Sequence, residues 1–411
     1  MNIFDQLLAD NQIPKFVRVR HEMDHSHIDD IEGAVAQAMR REGTLDRIKP
    51  GDSVCITAGS RDVANIARII RAICDQVKSV GAHPFIIPAM GSHAGAKAEG
   101  QRGIIEGYGV TEEAMGAPIR ASMDTEVIAH SRSGLEIHLD KFANAADFLI
   151  PVGRIKAHTD FRGEVESGIC KMLVIGMGKQ HGAYQCHKLG FKSMAANVKE
   201  FAGAIIEKKP NMFAIGLIEN AYHQTCRIEA IPAGRILEEE PPLLEYAKSR
   251  MAKVPFDQAD ILFVDETGKD ISGAGMDPNV TGRSPVLGIS RPFFQRIAVF
   301  DLTDKSHGNF GGLGSADVTT QRLYRKIDFE QTYPNGITAA EPLAVRLPAV
   351  MPSDRTAMQF ALRTATDCDW EKGPRIVWLK NTLSLSEFYI SEALIPDAEV
   401  LDNVTIVSEP M

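Results

Sequence analysis

Along this chain the spacing of apolar residues switches repeatedly between two periods. DSVCITAG (52–59) and HPFIIPAM (83–90) are short apolar runs of strand length. Between them DVANIARIIRAICDQVKSVG repeats its apolar residues every three or four positions, as a helix buried on one face does. A helix near AKAEGQRGIIEGYG follows, then a polar strand pair around EVIAHSRSGLEIHLD. ADFLIPVGR is apolar enough for a strand buried on both faces. MAANVKEFAGAIIEKK reads as another amphipathic helix and MFAIGLIEN as another strand. Strands alternating with helices predict an α/β fold.

The character changes at 238–256, EEEPPLLEYAKSRMAKVPF, where an acidic, proline-containing stretch precedes a helical pattern. Strand-like ADILFVDETG, QRIAVFDLT and RIVWLKNT come after it. At 411 residues the chain exceeds what one core usually serves, so two domains are expected. The boundaries read as 1–250 and 255–384, with the tail 385–411 returning to the first domain. Both would be Rossmann-like three-layer units, with the active site in the cleft between them.

Composition narrows the function. A net charge of −9 argues against nucleic acid or an anionic membrane as the main partner. No apolar run reaches the roughly 18 residues of a membrane helix, and MNIFDQLLADNQIPK lacks the pattern of a signal peptide. Six cysteines without a CxxC pair suggest reduced thiols, hence a cytoplasmic protein.

The densest chemistry lies in 152–190, VGRIKAHTDFRGEVESGICKMLVIGMGKQHGAYQCHKLG. His158 falls just past the C-terminal end of a buried strand, where open α/β sheets hold their ligands. Lys171 follows a Ser-Gly pair at a helix start, sixteen positions before His187. Gly176, Gly178 and Gly182 form a GxGxxxG, but a dinucleotide loop belongs in the first βαβ unit and this one lies far inside the chain. His93 in PAMGSHAGAKAE and Arg61 in ITAGSRD each follow a strand and precede a helix. Small neighbours open the histidine to a ligand, and the arginine suits a carboxylate. In the second half, VDETGKDISGAGMDPNVTGR carries Glu266, Lys269, Asp270, Asn279 and Arg283 in a Gly-rich loop after a strand. His21, His25 and His27 read as a solvated segment more readily than as a surface metal site.

In order, spacing and local context, these residues resemble the nickel-dependent lactate racemase family over most of the chain. The resemblance rests on Arg61 in AGSRD, His93 in GSHAG, His158 in IKAHTDF, Lys171 in SGICK, His187, and Lys269 in GKDIS. It implies a nickel-pincer nucleotide attached covalently at Lys171, with Ser60 and Gly168 beside it and His187 ligating the nickel. His93 and His158 would be the acid/base pair, with Arg61 and Lys269 on the substrate carboxylate. The implied reaction is racemisation or epimerisation of a 2-hydroxy acid by hydride removal and return, since side chains cannot accept hydride. Cofactor-synthesis enzymes would be partners. Glu266 replaces a glutamine of the lactate enzymes, and Asn279 and Arg283 add polar groups, which points to a substrate larger than lactate. The alternatives are a metal-dependent lyase or hydrolase using the same histidines, and a non-catalytic small-molecule binder.

Overall fold

In a computed structural model, residues 3–59, 63–284, 291–339 and 341–411 are described; the side chains of residues 5, 338 and 339 are not. The chain forms two compact units, one from Asp24–Met251 and one from Met1–Met23 with Ala252–Met411. Both mix strands and helices, the α/β class that the alternating periods predict.

In the 24–251 unit, Ser53–Ala58 lies between His83–Pro88 and Phe148–Ile150, all parallel. A second sheet orders Val152–Arg154, Phe213–Glu219 and Thr225–Pro232, and Thr125–His130 pairs with Glu136–Asp140. FLIPVGR, expected as one strand, is thus two strands in two sheets, divided at Pro151. Proline has no N–H to give a ladder, so pairing changes partner there. The Pro151 carbonyl is still used, accepting from Ile215 N at 2.8 Å, and Thr57 Oγ1 accepts from Val152 N at 2.8 Å. The helix Ile66–Ser79 turns Ile69, Ile70, Ile73, Cys74 and Val77 inward, as its period predicts.

The other unit holds an eight-stranded sheet. Its parallel half runs Ala349–Met351, Val318–Thr320, Phe293–Leu302, Gln258–Thr267 and Ile376–Leu379. Glu387–Ser391, Phe16–His21 and Val404–Ile406 continue it antiparallel. Residues 1–23, assigned from the sequence to the first domain, therefore belong with 252–411, and the tail 385–411 pairs inside this same sheet. FVRVRH alternates buried and exposed positions, and its buried Val17 and Val19 complete a core with Val377 and Ile390. The 238–256 connector also differs: Ile236–Arg250 is one helix containing Pro241 and Pro242. Its buried face of Ile236, Leu243, Leu244 and Ala247 offsets the hydrogen bonds that the prolines remove.

All six cysteines are free thiols. Among the described residues no helix is long and apolar enough to cross a membrane.

Candidate active site

A helical run crosses the carboxyl ends of two parallel strands. It begins at Ile169–Lys171, passes through a π-helical turn at Met172–Gly176 and continues as Lys179–His187. Glycines permit the close approach. A Cβ at Gly59, just past Ser53–Ala58, would lie 3.4 Å from Met172 Cε. One at Gly91, three residues past His83–Pro88, would lie 3.1 Å from Ile175 Cγ2, and one at Gly176 would lie 3.1 Å from the Ala89 carbonyl. Gly178 and Gly182 are tight against the Val174 carbonyl, so the GxGxxxG serves packing within this run. Lys179 pins the run from beneath. Fully buried with φ of 55°, it lies 3.2 Å from the buried Asp140 carboxylate and donates to the Pro88 carbonyl.

His158 meets this run at Lys171, the two side-chain nitrogens 2.5 Å apart. The backbone N–H of Asp160 donates to His158 Nδ1 at 2.9 Å, so a neutral imidazole carries its proton on Nε2, facing the amine. The ring stacks on Phe161 with centroids 4.2 Å apart. Its backbone N–H is held by the buried Glu166 carboxylate at 2.7 Å, and the other Glu166 oxygen lies 3.0 Å from Lys248 Nζ.

His187 ends the run. Its Nδ1 lies 2.6 Å from the Ala183 carbonyl, which can only accept, so Nδ1 carries the proton and Nε2 the lone pair. Burial lowers the imidazole's pKa, and the charge of Lys171 adds to that, while the Ala183 carbonyl opposes it. A neutral ring with an open Nε2 is the form that ligates a metal.

His93 begins the turn after His83–Pro88 and is exposed. Ala94, Gly95 and Ala96 follow it with φ of 54°, 63° and 55°, a left-handed run that costs alanine roughly 1–2 kcal/mol each. Its carbonyl is held by the buried Gln101 amide at 3.3 Å. Ser60 and Arg61 lie outside the described residues.

In the 252–411 unit, Lys269 Nζ donates to the Gly273 carbonyl at 2.6 Å. Glu266 accepts from Asn381 Nδ2 at 2.8 Å, and the Asn279 amide donates to Asp277 Oδ1 at 2.7 Å. Arg283 reads from the sequence as a polar group for a substrate larger than lactate. Instead it pairs with Asp317 at 2.5 Å and donates to the carbonyls of Ser315, Phe294 and Gln295. Both of its terminal nitrogens are engaged inside the unit, so it ties these loops together.

The structure therefore sets His158 against Lys171 at the start of one helical run, with Gly168 just before it and His187 at its end. Sequence reasoning overlooked the buried Glu166, Glu240, Lys179 and Asp140. A lysine and acids inside apolar segments were the available signal.

No protein-family model and no curated protein sequence matches the chain. Among solved structures it is similar to the lactate racemase apoprotein from Thermoanaerobacterium thermosaccharolyticum, with 16% identity and a TM-score of 0.53 over 89% of this chain and 93% of that one. A looser likeness, to a Thermotoga maritima protein solved by a structural genomics consortium, has 11% identity and a TM-score of 0.45 over 85% of this chain and 87% of that one. The chain thus shares the lactate racemase fold.

Proposed function

We propose that this protein is a racemase or epimerase of a 2-hydroxy acid that works with a nickel-pincer nucleotide. The observation that carries the reading is the Lys171 amine against His158, with the proton-free Nε2 of His187 on the same run, in a fold shared with a lactate racemase.

The side chains fit such a group. Lys171 supplies an amine for a covalent link, and His187 Nε2 offers one neutral nitrogen donor. Among the described residues no three His, Cys, Asp or Glu side chains gather into a metal cage, so a metal at His187 would take its other donors from a bound molecule. When bound, the nucleotide would supply the hydride acceptor that the protein lacks. The remaining work falls to this chain. His158 would give and take the substrate hydroxyl proton at Nε2 on one face, and His93 would do so on the other. Arg61 and Lys269 would bind the carboxylate. The bonds of Arg283 within its own unit weigh against a role in choosing the substrate; Glu266 and Asn279 are the departures that favour an acid larger than lactate.

Protein produced with the cofactor-synthesis enzymes should show an intact-mass adduct that Lys171→Ala lacks, and a chiral 2-hydroxy acid panel should reveal exchange at C2. An unmodified wild-type chain under these conditions refutes the reading.

A further inference from the structure

One helix holds both members of the Lys171–His158 contact. On Ile236–Arg250, positions 240, 244 and 248 share a face because they are spaced by four. Glu240 is fully buried, and its Oε2 accepts from the backbone N–H of Cys170 at 2.9 Å, one residue before Lys171. Its Oε1 is aimed at Gly168, where a Cβ would lie 2.0 Å away. The carboxylate also draws the Cys170 thiol and the Ile169 N–H. Two turns on, Lys248 grips the buried Glu166, whose other oxygen holds the backbone N–H of His158. A buried carboxylate without its partner is costly, so such contacts are kept only where they fix a geometry.

We propose that Glu240 and Lys248 are positioning residues: Glu240 sets the turn that carries Lys171, and Lys248 sets His158 through Glu166, so that the amine meets His158 Nε2. Glycine at 168 leaves room for the Glu240 carboxylate. The proposal rests on reading Lys171 and His158 as site residues. Its test uses the full chain without nickel or nucleotide, so its outcome is separate from that of cofactor loading.

The probe is sulfosuccinimidyl acetate at neutral pH. The amine attacks the ester carbonyl, a C–N bond forms, the sulfo-N-hydroxysuccinimide leaves with the C–O electron pair, and the amine's surplus proton goes to water. Peptide mass mapping follows acetylation of Lys171 relative to Lys372, whose side chain is 85% exposed. Glu240→Ala should slow Lys171 several-fold against that reference, because the turn no longer holds the amine in place. Glu240→Gln, which retains an acceptor for the Cys170 N–H, should label near the wild-type rate. Wild-type labelling in Glu240→Ala, or equal slowing in Glu240→Gln, overturns the role of Glu240. If Glu240→Ala does not fold, Lys248→Met decides: the ring nitrogens of His158 in long-range proton–nitrogen NMR should lose the pattern with Nδ1 unprotonated, and Lys248→Arg should restore it. An unchanged His158 pattern in Lys248→Met refutes the positioning.

Discussion

Replacing Lys179 by Met tests how the helical run is anchored. Both Lys179 and Asp140 are fully buried, 3.2 Å apart. Burial pushes the Asp140 carboxyl up and the Lys179 amine down, and their mutual attraction opposes both shifts. Methionine keeps the stem's volume and bears the same positive φ, so the change isolates the charge. Asp140 would retain only the Phe142 and Ala143 N–H groups, at 2.8 and 3.1 Å, and the Pro88 carbonyl would lose its donor. Breaking a buried pair on one side costs about 3–5 kcal/mol. For a unit this size 1 kcal/mol shifts Tm by about 2–4 °C, so melting followed by circular dichroism should fall by roughly 6–20 °C. Adding Asp140→Asn removes the stranded charge yet keeps the acceptor for Phe142 and Ala143. The double variant should therefore recover most of the loss. A single-variant drop below about 2 °C, or a double variant no more stable than the single, would refute the reasoning.

Arg283→Ala should destabilise the fold by about 1–3 kcal/mol through the exposed need of Asp317 and the three carbonyls, with substrate KM unchanged in loaded enzyme; denaturant melts and kinetics separate the two effects. His187 is held below its ordinary 6.5, so the unfolded chain binds a proton that the folded chain refuses. Stability should therefore be full above pH 6.5 and fall as pH drops toward the folded value. His187→Phe should flatten part of that slope in melts across this window, leaving the share of His21, which burial lowers likewise. In loaded protein, His93→Ala and His158→Ala should keep their nickel while losing isomerisation in both directions, whereas His187→Ala should lose nickel; elemental analysis distinguishes these outcomes.

Most strands and helices were legible because each buries a face, and a buried face leaves a period in its own residues. Ser53–Ala58, Ile66–Ser79 and Gln258–Thr267 all fall where the pattern puts them. The clustering of His158, Lys171 and His187 was legible too, since one short stretch carries all three. The partition was not: Phe16–His21 joins Glu387–Ser391, and nothing in either strand's alternation names its partner. Arg283 looked available because its loop is polar, yet Asp317 lies 34 positions further on. The framing of the site was also hidden, with Cys170 and Glu240 70 positions apart. Local burial writes itself into sequence as a period, whereas the choice of partner for a charge or an edge is made only when distant segments meet. The candidate residues were therefore visible in the sequence, whereas the buried acids and lysines packed around them were decided by tertiary packing.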